Sequence, residues 1–286
     1  MLTLSNADLS VSLIDPANHA ERELLGVRFC WGGYIWQVED SQVGPLLAGP
    51  EWPKPDPIPF NGQGLPESFR QAEFGTGRQL MLEDGRGFII GMGEVGPDDD
   101  GALAVLKPCS WSITTSHGAI EFCTEQSDNG YACQLTRRIS LENRKLTSST
   151  RLANLGERTI PLHWFAHPFF ALDDRLLTCK IPDSWDMAEN VGYEFDEDHR
   201  ITFKRRFRDE FDGHFEQLIV DPQTPLRSTL SHPKLTEVTF STDFVPSTCP
   251  IWGNAKTWSI EPYMATELAP GADHSWQLAY EFGPVA

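Results

Sequence analysis

Between Ala132 and Glu142 apolar and polar residues alternate. Cys133, Leu135, Ile139 and Leu141 fall on one face, and Gln134, Thr136, Arg138, Ser140 and Glu142 on the other. This two-residue period is that of a half-buried β-strand. Residues 146–155, 159–170, 237–244, 257–263 and 275–282 read likewise as short strands. No window keeps helical spacing through three turns, so helix is expected only in short pieces, near Asn18 to Leu25. Asp84-Gly85, Asn129-Gly130, Asp100-Gly101 and Asp212-Gly213 tolerate positive φ and predict hairpin turns between these segments.

No linker, low-complexity block or internal repeat interrupts the strands, which predicts one all-β domain over residues 1–286, an antiparallel two-sheet sandwich. The exception is Gly49 to Arg70, rich in Pro and Gly but carrying Trp52 and Phe60. A loop of this length in a compact domain is expected to serve a binding cleft as its rim. The chain has 286 residues, 40% hydrophobic and 11% aromatic, enough for a large core. Its 23 basic against 41 acidic residues give a net charge of −18, a field that repels phosphate backbones and anionic lipid. Nucleic acid and membrane surfaces are therefore poor partners, and no apolar run reaches the length of a membrane helix. The first residues, Met1-Leu2-Thr3-Leu4-Ser5, lack a secretion-signal pattern, and the expected location is cytoplasmic. The six cysteines form no C-x-x-C pair and are expected to be reduced and mostly buried.

Two histidines, His163 and His167, lie among aromatics in Ile160-Pro161-Leu162-His163-Trp164-Phe165-Ala166-His167-Pro168-Phe169-Phe170. Trp164 stands where a zincin motif needs Glu, so no metal site is expected there. Near the other end, Glu261 closes an apolar strand and precedes Pro262, which biases it toward an extended backbone. A carboxylate in such surroundings needs a partner or a function. A His and a Glu in one aromatic cleft are suited to acid and base work near neutral pH. The pairing alone is not specific, since other His and Glu combinations are available.

The surrounding residues change its weight. Leu152-Ala153-Asn154-Leu155-Gly156, then Pro161, then His167-Pro168-Phe169-Phe170, resembles the galactose mutarotase-like (aldose 1-epimerase) superfamily. Gly26-Val27-Arg28-Phe29, Trp31-Gly32-Gly33, Glu73-Phe74-Gly75, Gly91-Met92-Gly93 and Glu261-Pro262 fit in order along nearly the whole chain. The resemblance implies a β-supersandwich with a sugar cleft and no cofactor. It also implies roles: His167 as the general acid at the ring oxygen, Glu261 as the base at the anomeric hydroxyl.

The second histidine of galactose mutarotases has no counterpart, because residues 49–116 contain no His. Arg70 or Gln71 is expected to bind sugar hydroxyls instead. Arg28, Arg70, Arg78 and Arg86 are candidates for a sugar phosphate, whereas Arg137-Arg138 alternates faces and makes no clamp. Trp164, Trp258 and Tyr263 are expected near the site by adjacency to His167 and Glu261. The ligand is thus a sugar or sugar phosphate, and the competing reading is a non-catalytic carbohydrate-binding protein on the same fold.

Overall fold

The computed structural model describes residues 1–23, 25–51, 61–69, 86–172 and 177–286. Almost all regular structure is antiparallel strand, and the one helix among the described residues is His19–Glu23, at the place its sequence suggested. The Asn18 side chain accepts from the N–H of Ala20 at 3.1 Å, satisfying a donor that the first turn leaves open.

One layer is a ten-stranded sheet. At its centre the strands run Val238–Thr242, Asp273–Phe282, Lys145–Asn154, Tyr131–Glu142 and Ala119–Asp128. The alternation read between Ala132 and Glu142 is that of Tyr131–Glu142, whose odd positions from Cys133 to Ile139 are buried. Asn129 and Gly130, at φ of 47° and 78°, turn the chain from Ala119–Asp128 into this strand, as an Asn-Gly hairpin requires. Gly101, at φ 80°, turns Gly93–Pro97 into Leu103–Pro108. Asp84-Gly85 lies outside the described residues. Asp212-Gly213 is not a hairpin turn: the strand after it, His214–Ile219, pairs with Cys249–Gly253 and Asp186–Met187. Asp212 instead holds a loop together, its carboxylate accepting from Arg205 at 2.8 Å and from the backbone N–H of Arg208 at 3.0 Å.

Opposite the large sheet pack smaller ones. Three strands run Tyr263–Leu268, Ile160–Ala166, Glu67–Ser68, and five run Phe170–Ala171, Thr257–Ile260, Cys249–Gly253, His214–Ile219, Asp186–Met187. Aromatic pairs fill the space between layers, Trp164 on Trp276 at 5.2 Å and Phe170 on Phe240 at 6.2 Å. In the middle of this apolar layer Arg137 is fully buried and ion-paired with Glu67, itself 1% exposed. Ser148 donates to the same carboxylate at 2.7 Å and the Trp164 indole at 3.1 Å, while Arg137 donates to the carbonyl of Gly32 at 2.6 Å. Each buried charge there faces its counter-charge, and of the guanidinium nitrogens only Nε of Arg137 has no hydrogen-bond partner.

The six cysteines are unpaired, four of them buried. Burial pushes the Cys30 thiol up to about 11, although Arg137 pulls it back, and burial pushes Cys109 and Cys133 up to about 12. No helix among the described residues is long and apolar enough to cross a membrane.

Candidate active site

The segment read as one strand over 159–170 is broken, and so is 257–263. Ile160–Ala166 belongs to the three-stranded sheet, and after His167-Pro168-Phe169 the chain enters the five-stranded sheet as Phe170–Ala171. Thr257–Ile260 leaves the five-stranded sheet, and after Glu261-Pro262 the chain joins the three-stranded sheet as Tyr263–Leu268. The two segments run antiparallel and cross the same seam in opposite directions, paired on both sides of it. Each crossing carries a proline, which has no N–H to give a ladder and suits the place where pairing stops. His167 and Glu261 are the residues before those prolines. Their own N–H groups stay tied, His167 to the carbonyl of Pro66 and Glu261 to that of Pro250, both at 2.9 Å.

At the seam His167 Nε2 lies 3.3 Å from Glu261 Oε1, and both residues are 5% exposed. The other ring nitrogen, Nδ1, is 3.0 Å from Ser259 Oγ. Phe169 stacks on the imidazole with centroids 4.2 Å apart and planes 20° apart, and Phe29 and Trp252 present edges at 6.1 and 6.4 Å. Orientation is thus fixed by a hydrogen bond on one nitrogen, a stacked ring on one face and a carboxylate at the other nitrogen. The Glu261 charge is felt nearby: burial and then this carboxylate hold the Cys249 thiol well above its ordinary value, and burial chiefly does so for the Tyr193 phenol.

The pair opens into a cleft of about 410 Å³. Phe165, Phe169, Phe211, Phe215, Trp252 and Tyr263 form its aromatic lining, and Tyr263 stacks on Phe165 at 4.6 Å. Residues 52–60 of the segment expected to form a rim, Trp52 and Phe60 among them, lie outside the described residues; from its described part Asn61 donates to Glu51 at 3.2 Å, and Arg28, from an earlier segment, donates to the Asn61 carbonyl at 3.4 Å. Glu210 adds a further carboxylate. An apolar wall with a few oriented polar groups is the make-up of a small-molecule site. Among the described residues no cluster of three or more His, Cys, Asp or Glu is arranged to hold a metal ion.

The structure therefore brings His167, Glu261 and Tyr263 together. Trp164 and Trp258 are fully buried and do not line the cleft. Arg70 and Gln71, with Arg78, lie outside the described residues; Arg28 lines the cleft, and Arg86 is exposed away from its lining. Ser259, Phe169 and Phe215 were missed. The signal for the first two was present, because side chains two apart share a face of a strand. Ser259 shares parity with Glu261, and Phe165 and Phe169 share it with His167, whereas Trp164 and Trp258 have the opposite parity and face inward. Glu51, Glu210, Phe211 and Phe215 reach the cleft through long-range folding that no local spacing announces.

No protein-family model matches the sequence, and no curated protein does. Solved structures do. A candidate aldose 1-epimerase from Escherichia coli K12 superposes with a TM-score of 0.62 at 14% identity, covering 98% of this chain and 97% of its own. A galactose mutarotase-like protein from Lactobacillus casei gives 0.61 at 13% identity, covering 99% of both chains. Another, from Clostridium acetobutylicum, gives 0.55 at 13% identity, covering 99% of this chain and 94% of its own. The fold is the galactose mutarotase-like β-sandwich anticipated from the sequence.

Proposed function

We propose that this chain is an aldose 1-epimerase-like enzyme of a reducing, cytoplasmic compartment, interconverting the α and β anomers of an aldose. The carrying observation is the His167–Glu261 contact of 3.3 Å at the floor of an aromatic cleft. The reaction needs an acid and a base side by side, because the ring oxygen and the anomeric hydroxyl are both bonded to C1. The chemistry starts from a protonated His167 and an ionised Glu261.

Glu261 takes the proton of the anomeric hydroxyl, the bond from C1 to the ring oxygen breaks, and His167 Nε2 gives its proton to the departing ring oxygen. The open-chain aldehyde turns about the C1–C2 bond. The ring hydroxyl then attacks the other face of C1, returning its proton to His167, while Glu261 returns its proton to the new anomeric oxygen. Protons and electrons balance without a cofactor. Six unpaired thiols suit the reducing compartment.

Anomeric exchange followed by NMR over a panel of aldoses and hexose 6-phosphates tests this reading. Acceleration over the spontaneous rate is expected, with His167→Ala and Glu261→Gln each losing about 10²-fold or more. Saturable sugar binding without any acceleration would instead identify a non-catalytic carbohydrate-binding protein.

A further inference from the structure

The cleft extends beyond the acid/base pair along a line of aromatics. Trp252 presents its edge to His167 at 6.4 Å. Phe215 is the cross-strand partner of Trp252 on the next strand outward, so the two rings share a face of the sheet. Four residues before it Phe211, also in the cleft wall, is 86% exposed, and Phe215 is 40% exposed. A phenylalanine so open on a surface of net charge −18 is an uncommon use of an apolar ring, and two at the mouth of one cleft mark a contact site.

The loop bearing Phe211 is organised in advance. The Asp209 carboxylate accepts from the N–H groups of Phe211 and Asp212 at 2.9 and 3.0 Å, and Asn254 donates to the carbonyl of Glu210 at 2.9 Å. Asn254 follows Cys249–Gly253, the strand of Trp252, so the outer rings and the inner one are held by one framework. A backbone held in this way has little freedom left to lose when a ligand lies on its side chains.

Resting on the proposed mutarotase reading, we infer that Phe211 and Phe215 form a second subsite, and that the substrate is the reducing end of a 1→4-linked disaccharide or longer oligosaccharide. C1 of the reducing ring must lie at His167 and Glu261. The O4 linkage leaves from the opposite side of that ring and carries the next residue outward, toward the exposed rings. The apolar C–H face of a pyranose fits an aromatic face, and Glu210 stands beside Phe211 as an acceptor for hydroxyls. The described cleft lining holds one arginine, Arg28, against the three carboxylates of Glu51, Glu210 and Glu261, and so offers no cluster of cations for a phosphate, which suits neutral rings.

Anomeric exchange and saturation-transfer NMR with glucose, maltose, cellobiose and lactose test the subsite. Turnover of a disaccharide is expected to exceed that of glucose in kcat/KM, and Phe211→Ala to lower that ratio about five- to tenfold. Ile219→Ser, at an exposed apolar residue outside the cleft lining, is the control and is expected to leave the ratio alone. Saturation transfer to the non-reducing ring, lost in Phe211→Ala, reads the subsite even in an enzyme that turns nothing over, so the subsite and the mutarotase reading fail separately. Equal handling of glucose and disaccharides, with no saturation of the second ring, would overturn the inference.

Discussion

At the scale of single residues, Ser259 holds one side of the proposed acid/base pair. It is fully buried, and its hydroxyl meets His167 Nδ1 at 3.0 Å, leaving Nε2 as the nitrogen that faces Glu261. In the proposed mechanism a proton leaves from Nε2, which requires Nδ1 to keep its own, with the Ser259 oxygen as the acceptor of that N–H. Ser259→Ala is expected to lower kcat about tenfold, the worth of a hydrogen bond to a charged group, with a smaller effect on KM. ¹⁵N spectra of the imidazole should show a mixed tautomer in the neutral ring of the variant and a single one in the wild type. An unchanged tautomer with unchanged kcat would remove Ser259 from the machinery. The same residue marks the limit of reading by adjacency: Trp258 and Ser259 both lie close to Glu261 in sequence, but only Ser259, two residues away, has the parity that turns it to the His167 side, because strand faces alternate.

At the scale of elements, the alternating strand Tyr131–Glu142 and its hairpin were legible from local rules, since hydrophobic period and an Asn-Gly turn act within a few residues. The seam was not. Residues 159–170 and 257–263 carry an unbroken apolar pattern, and only their prolines hint at the change of sheet. The catalytic candidates became legible through a resemblance rather than through spacing. Arg137 was legible in part: it stands on the same face as Cys133, Leu135 and Ile139, so a charge within the core follows from parity. Its partner Glu67, 70 residues away on the strand that pairs with Phe165 and Ala166, does not. Breaking this pair with Arg137→Met is expected to cost about 3–5 kcal/mol, because the Glu67 carboxylate is then buried without its counter-charge. Replacing both with Met should cost less than Arg137→Met alone, as read by urea denaturation. A double variant weaker than the single one would show that the pair is worth more than apolar packing.

At the scale of the whole molecule, acidic groups dominate the surface charge, and some are engaged. Asp40, 3% exposed, is pushed up by burial, but the N–H groups of Gln42 and Val43 and the Arg144 guanidinium at 2.7 Å outweigh this and hold its carboxyl below the ordinary carboxylate range. A depressed folded value means that Asp40 contributes stability above about pH 4, where it would ionise in the unfolded chain, and that this is lost as pH falls through the folded value. The thermal midpoint is therefore expected to fall between pH 5 and pH 3, roughly, with Asp40→Asn showing a smaller fall than the wild type. Equal falls would place the acid sensitivity elsewhere. The bridge also joins the sheet of Ile35–Asp40 to the turn before Lys145–Asn154, so it ties the first strands of the chain to the middle of the large sheet. Asp273–Phe282 lies far along the sequence from its partners but at the centre of that large sheet, between Val238–Thr242 and Lys145–Asn154. With this strand out of place the sheet falls into two halves, and each of those two neighbours keeps an open edge able to recruit a stray strand. The strand is the keystone of the layer, and a variant that loosens it is expected to aggregate rather than to lose one edge quietly.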